Sequence, residues 1–329
     1  MKSSEHMGRD AKSKIVCGIT MGDPSGVGPE VILKALNNAE VKGLADFLVI
    51  GDSFVFRKTQ SARRTTQGLP LIDLQNLSYK NFAFGRARAE YGKAAMEYLQ
   101  EAVKLIKLRK IDCLVTAPIC KEAINLAGYK FSGQTEFIAS AFGIKDAVMM
   151  LANKRLKVAL VTRHIPLKDV SKNLNKITIL KTITITAGSL KSIFNIKNPR
   201  LTVCGLNPHA SDNGLLGNEE KRLITPAIKK AKAKRIMISG PFPADTVFTK
   251  IASDNIDAVI CMYHDQGLIP LKLLGFKEAV NITLGLPFVR TSPGHGTAFD
   301  IAGKDKADPA SFIEAVRLAV KCTQNLRRD

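Results

Sequence analysis

Residues 15–30 read IVCGITMGDPSGVGPE, and this stretch decides the fold. Its first six residues form a continuous apolar run, the pattern of a strand buried on both faces. The run passes into a turn carrying Gly22, Gly26 and Gly28, with Pro29 at the start of a helical pattern over 30–37. A strand, a glycine-rich turn and a helix make one unit of a parallel α/β sheet. The turn matches neither GxGxxG nor GxxxxGK[ST], so the standard dinucleotide fingerprint and the Walker loop are both absent. Two readings of it stay open: a tight turn, or backbone N–H groups offered to an anion at the helix start.

Working outward, similar runs occur at 46–50 (DFLVI), 112–116 (DCLVT), 147–151, 156–161 (LKVALV), 201–205 (LTVCG), 235–239 and 257–261 (DAVIC). They alternate with helical patterns, which predicts a mostly parallel sheet covered on both faces. The clearest helix spans 88–108, where Tyr91, Ala94, Ala95, Tyr98, Leu99, Ala102, Leu105 and Ile106 keep a helical period. The last helix opens with Asp308 as cap and Pro309 in its first turn, followed by Phe312, Val316, Ala319 and Val320 on one face. There is no repeat, low-complexity segment or linker, so two lobes would require the chain to cross between them twice.

The 329 residues include 49 Lys plus Arg against 29 Asp plus Glu, a net charge of +20. With 45% hydrophobic and 24% charged residues, the composition excludes disorder, collagen and coiled coil. No window is apolar for long enough to cross a membrane, and the N-terminus lacks a signal-peptide apolar region, so the expected location is cytoplasmic. The basic residues are scattered, with few aromatics between them and no Trp. That distribution reads as solvated helix faces, not a nucleic-acid stripe. Six cysteines form no CxxC pair, and Cys17, Cys113, Cys204 and Cys261 sit in strand runs, where they read as small core residues.

Polar, Gly- and Pro-rich clusters follow the runs at 20–30, 116–124, 205–214, 263–272 and 281–300, where open α/β sheets place their ligands. Four of the five histidines, His164, His209, His264 and His295, lie in or beside such clusters. His164, His209 and His264 are 45 and 55 residues apart, and imidazoles at neighbouring parallel strand ends can converge on one divalent ion. The spacing has no local pattern and does not establish a metal site unaided. Lys121, Lys272 and Arg290 lie near these clusters and could clamp phosphate or carboxylate, Arg through its fork and Lys as a point charge.

The segments MGDPSGVGPE, TAPICKEAI, GQTEF, VTRHIPL, CGLNPHA, PADTVF, YHDQGLIPLK, NITLGLPFVRTS and HGTAFDIAG occur in that order over nearly the whole chain. Together they resemble the 4-hydroxythreonine-4-phosphate dehydrogenase family, often called PdxA, of pyridoxal phosphate (vitamin B6) biosynthesis. The resemblance implies a two-lobed α/β/α fold like that of isocitrate and isopropylmalate dehydrogenases. Residues 15–130 with 281–329 would form one lobe and 131–280 the other, after a disordered tail at 1–14. It implies a homodimer with a shared active site, NAD or NADP bound without GxGxxG, and one divalent metal ion: zinc, cobalt or magnesium. His164, His209 and His264 stand at the family's metal-ligand positions, the third reaching the other subunit's site. Gln134, Thr135, Lys272, Asn281 and Arg290 match substrate-binding positions, and Asp245 falls where a carboxylate lies near the reacting centre. Position 134 is usually His in this family. Gln keeps an N–H donor for a phosphate oxygen but cannot be cationic or exchange protons.

The implied reaction oxidises 4-phosphohydroxy-L-threonine at C3 to 2-amino-3-oxo-4-phosphooxybutanoate, a β-keto acid that loses CO2 to give 3-amino-2-oxopropyl phosphate. Lys272 or Asp245 is expected to take part in proton transfer. The alternative substrate is a phosphorylated four-carbon sugar acid such as 4-phosphoerythronate.

Overall fold

The computed structural model describes residues 13–59, 68–131 and 133–328, so most of the expected tail lies outside the described residues. Among the described residues, eleven strands appear in chain order. They are β1 (Val16–Thr20), β2 (Asp46–Gly51), β3 (Leu71–Asp73), β4 (Cys113–Thr116), β5 (Val148–Ala152), β6 (Lys157–Leu160), β7 (Arg200–Cys204), β8 (Met237–Phe242), β9 (Ala258–Cys261), β10 (Val280–Leu284) and β11 (Val289–Pro293). All belong to one sheet with the order β3-β2-β1-β4-β11-β10-β5-β6-β9-β7-β8.

Each of the eight apolar runs becomes a strand. Three strands were not expected. β3 is a short edge strand, and β10 and β11 lie within 281–300, a stretch expected to be a polar loop cluster. Its Gly and Pro residues mask a period-two pattern: Ile282, Leu284 and Val289 are buried between Asn281, Thr283 and Arg290. Gly285, with φ of +88°, makes the turn between the two strands.

This hairpin sets the geometry of the molecule. β10 pairs antiparallel with both β11 and β5, and β5 pairs antiparallel with β6. Every other pairing is parallel. An odd number of reversals means that β6, β9, β7 and β8 run opposite to β3, β2, β1, β4 and β11. Loops after β4 and β11 therefore leave one end of the sheet, and loops after β6, β7 and β9 leave the other. The two sets meet only over the antiparallel centre.

Helices cover the sheet as the periodicities predict. Helix Ala89–Lys107 buries Tyr91, Ala94, Tyr98, Leu99 and Ala102 and packs on β1 and β2. Helix Ala310–Leu326 buries Phe312, Val316, Ala319 and Val320 and packs on β11 and β4. Full burial of side chains of this size stabilises by about 1.5–3 kcal/mol each. The N-cap is Pro309, one residue later than expected, and Asp308 Oδ1 accepts the Ala310 N–H at 3.0 Å from the position before it. No described helix is long and apolar enough to cross a membrane.

The strand cysteines are core residues. Cys17 and Cys113 are neighbours across β1 and β4, and the Cys204 and Cys261 sulfurs are 4.0 Å apart across β7 and β9. The Cys113 hydrogen bond and burial raise the Cys17 thiol, and burial raises Cys261, so both stay protonated.

Candidate active site

Two glycines allow the loop after β1 to touch the loop after β4. A Cβ on Gly22, whose φ is +72°, would lie 2.4 Å from the Pro118 carbonyl oxygen, and one on Gly28 would lie 2.2 Å from the Met21 carbonyl oxygen. The close approach lets the Asp23 N–H donate to Pro118 O at 2.8 Å. The Asp23 carboxylate is fully buried and accepts the Ser25 N–H at 2.8 Å. Burial pushes its pKa up to about 7, against the Ser25 and Cys120 N–H groups that favour the charged form.

Arg290 crosses the centre of the site on β11 and is 2% exposed. It donates from Nη1 to Thr135 Oγ1 and Thr283 Oγ1, each at 3.1 Å, and from Nη2 to Thr116 Oγ1 at 2.6 Å. All three acceptors are neutral hydroxyls, which orient the fork without neutralising it, and the Glu136 carboxylate that acts on its charge is itself paired with Arg163. Burial lowers its pKa to about 10, so it remains cationic at neutral pH. Gln134 opens helix Gln134–Ala141, and its Nε2 donates to the Ala117 carbonyl at 2.9 Å. A carbonyl only accepts, so this bond turns Gln134 Oε1 away from Ala117 and commits one N–H that the sequence left available for phosphate.

Gln134, Thr135, Asn281 and Arg290 line one cavity of about 180 Å³, together with Lys121, Met149, Arg163, His164 and His295. Four polar atoms of these residues are buried without a partner: Gln134 Oε1, Asn281 Oδ1, Arg290 Nε and His295 Nε2. Burying an unpaired polar atom costs about 1–3 kcal/mol, so this concentration fits a polar ligand. The charges fit an anion. Arg163 pairs with Glu136 at 3.5 Å, which leaves the positive charges of Lys121 and Arg290.

The three histidines at expected metal positions follow β6, β7 and β9, which are adjacent and parallel. His164 lines the cavity, and its ring centroid is 5.7 Å from that of His264. Burial, then the Lys121 ammonium and the His264 imidazole, hold the His164 pKa below its ordinary value, which keeps a lone pair free for a ligand. Gln266 ties the His264 and His209 loops together: it donates to Gly205 O and accepts the Met262 N–H, both at 2.7 Å. His209 is exposed, on a loop where residues 209–213 all have positive φ. Glu220, 3% exposed, holds this loop by accepting the Leu206 and Asn207 N–H groups at 2.7 and 2.8 Å. Backbone strain of this kind is retained where the surroundings enforce it. Among the described residues, no three His, Cys, Asp or Glu side chains gather into a metal cluster within the single chain.

Lys272 and Asp245 are not brought into the cavity. Lys272 lies on helix His264–Gly275 with its ammonium 5.5 Å from the Phe276 ring centroid. Asp245 is exposed on the short helix Ala244–Val247. Sequence reasoning named no cofactor residues. A neighbouring cavity of about 250 Å³ shares His295 with the first and is mostly apolar, lined by Val27, Phe276, Ala298, Ile301 and Ala307 among others. The signal for it was present in HGTAFDIAG, as small and apolar residues after a strand.

A family model described as "Pyridoxal phosphate biosynthetic protein PdxA" matches residues 28–319. The chain belongs to the PdxA family. It is 45% identical to a 4-hydroxythreonine-4-phosphate dehydrogenase of Desulforapulum autotrophicum, over 92% of this chain and 94% of that one. It is 42% identical to a D-threonate 4-phosphate dehydrogenase of Cupriavidus necator, over 92% and 95% of the two chains. A crystal structure of 4-hydroxythreonine-4-phosphate dehydrogenase from Klebsiella pneumoniae superposes with a TM-score of 0.84 at 36% identity, covering 94% of this PdxA chain and 100% of that one. The fold is shared more distantly with a beta-decarboxylating dehydrogenase of Thermococcus kodakarensis, with a TM-score of 0.52 at 14% identity over 91% of this chain and 81% of that one.

Proposed function

We propose that this PdxA-family chain oxidises 4-phosphohydroxy-L-threonine at C3, using NAD or NADP and one divalent metal ion, to a β-keto acid that decarboxylates to 3-amino-2-oxopropyl phosphate. The observation that carries the reading is Arg290: a buried cationic fork, held only by neutral hydroxyls, in a cavity with unpartnered Gln134, Asn281 and His295 atoms. Such a cavity suits the phosphate and carboxylate of a small substrate.

Nitrogen-rich donors at the ends of β6, β7 and β9 fit a borderline metal, and His164, His209 and His264 would hold it. His264 stands beside His164 in its own chain, unlike the cross-subunit role the resemblance implies for it, and no three candidate ligands gather among the described residues, so we read the site as completed in a homodimer. The apolar cavity beyond His295 fits a nicotinamide and its ribose. When bound, the metal supplies a Lewis acid for the C3 hydroxyl and the nicotinamide accepts hydride. The chain's own part is to bind and orient. Thr116, Thr135 and Thr283 fix Arg290, Arg290 neutralises the substrate anion, and Asn281 meets a substrate donor with its free oxygen. Lys272 and Asp245, outside the cavity of the single chain, would serve proton transfer from a neighbouring subunit. We assign residues 15–130 with 281–329 to one lobe and 131–280 to the other. The opposite strand directions on the two sides of β10 and β5 support that division.

A phosphorylated sugar acid is the second reading, favoured by relatives named for D-threonate 4-phosphate. The test supplies purified protein with metal, NAD or NADP, and each substrate in turn. Turnover of the amino acid phosphate alone supports the first reading, and preference for the sugar acid phosphate transfers the assignment to the second.

A further inference from the structure

We propose that Lys121 is a substrate-binding residue whose ammonium, beside Arg290 and His164, supplies the second positive charge that holds the substrate's phosphate. The inference rests on the substrate class proposed above.

Lys121 directly follows the loop after β4 and lines the cavity with Arg290, Gln134 and Thr135. Of the three cations lining that cavity, Arg163 is engaged by Glu136. Lys121 has no carboxylate partner among the described residues, and Arg290 is bonded only to hydroxyls. Glu136 offsets one of the three cationic charges lining the cavity, and the two that remain match the two of a phosphate monoester dianion. Lys121 and His164 line the same cavity, so the ammonium also faces the end of the site where His164 stands.

An exposed lysine is ordinarily only solvated, but this one stands on a fixed base. Asp23 binds the Pro118 carbonyl through its N–H and faces the Cys120 N–H with its buried carboxylate. Gln134 holds the Ala117 carbonyl. Residues 117–120, which lead to Lys121, are therefore anchored at three points. Lys121 Cε lies 3.9 Å from the Cβ position of Gly133, at the start of the segment that carries Gln134 and Thr135. Lys272, which the sequence and the family resemblance placed at the substrate, has none of these relations to the cavity and lies against Phe276.

The test compares wild type with Lys121→Ala and Lys121→Arg, first by calorimetric titration with inorganic phosphate and then by steady-state kinetics on the metal-supplemented enzyme. Lys121→Ala is expected to weaken phosphate binding and to raise KM for the phosphorylated substrate ~10–100-fold, since a hydrogen bond to a charged group is worth about 1.5–3 kcal/mol. Its kcat and melting temperature should stay near those of wild type, and Lys121→Arg should recover most of the affinity. Unchanged phosphate affinity and KM in Lys121→Ala would overturn the proposal, as would a loss confined to kcat. The phosphate titration needs no turnover. Wild type that binds phosphate through Lys121 but oxidises neither candidate substrate would refute the reaction and uphold this site.

Discussion

Arg290 donates to the hydroxyl of Thr116 at 2.6 Å, across the paired strands β11 and β4. The bond joins the hairpin at the centre of the sheet to the strand whose loop carries Lys121. With the bonds to Thr135 and Thr283, it fixes a buried guanidinium in one orientation before any substrate arrives, and such preorganisation is what an anion site requires.

Arg290→Lys keeps the charge and loses the fork. Two or three hydroxyls lose their donor, and at about 0.5–1.5 kcal/mol for each lost bond, kcat/KM should fall ~10–100-fold or more. Arg290→Ala also removes the charge and should lie lower still. Steady-state kinetics on both variants would check the order, and equal activity of Lys and Arg at this position would show that the fork is unused.

Asp23 makes stability depend on pH. Its folded pKa is raised from 3.8 to about 7, so the protonated form is the one the fold favours. Its contribution is fully present below the unfolded value and is lost as pH rises from about 4 through about 7, with a ceiling of ~4 kcal/mol from the size of the shift. Asp23→Asn stays neutral, so its stability relative to wild type should improve over that interval. Denaturant unfolding at several pH values measures the difference, and a constant offset between the two proteins would rule the mechanism out.

Gly22→Ala should destabilise the protein by several kcal/mol, because the new Cβ meets the Pro118 carbonyl and the backbone is left-handed. Relief by moving the loop would shift Asp23 away from Pro118, so substrate KM should rise even at temperatures where the variant is folded.

Glu220→Gln replaces one carboxylate oxygen with an amide donor beside Asn207 and loosens the loop that carries His209. Loss of such support around a metal ligand typically costs 10–100-fold in affinity, so zinc or cobalt titration should show a loss of ~10–100-fold. Wild-type affinity would mean that His209 is positioned by something other than Glu220.

Much of the fold was legible because its signals are local. Eight strands showed as apolar runs, and the helices at Ala89–Lys107 and Ala310–Leu326 showed as period-3.6 patterns. The β10–β11 hairpin was hidden by Gly285, Pro287 and Pro293, although its alternation of Ile282 and Leu284 with Asn281 and Thr283 was present. The reversal of strand direction rests on that hairpin's pairing with β5, between residues more than a hundred apart, and nothing local encodes it. For the site, the family resemblance named Gln134, Thr135, Asn281, Arg290 and His164, and all five line one cavity. Lys121 was legible only as one of several basic residues near the loop clusters, and Asp23 and Glu220 carried no signal of their own. Their significance comes from burial and bonding partners that depend on the assembled sheet.

The most direct test of the central claim is the stoichiometry of the reaction. Purified, metal-supplemented protein would be given 4-phosphohydroxy-L-threonine with NAD or NADP, and reduced nicotinamide and released CO2 would be counted together. The account predicts one CO2 for each reduced nicotinamide, with both lost in Arg290→Ala. Failure of the wild-type protein to reduce either nicotinamide, or reduction without CO2 release, would contradict it.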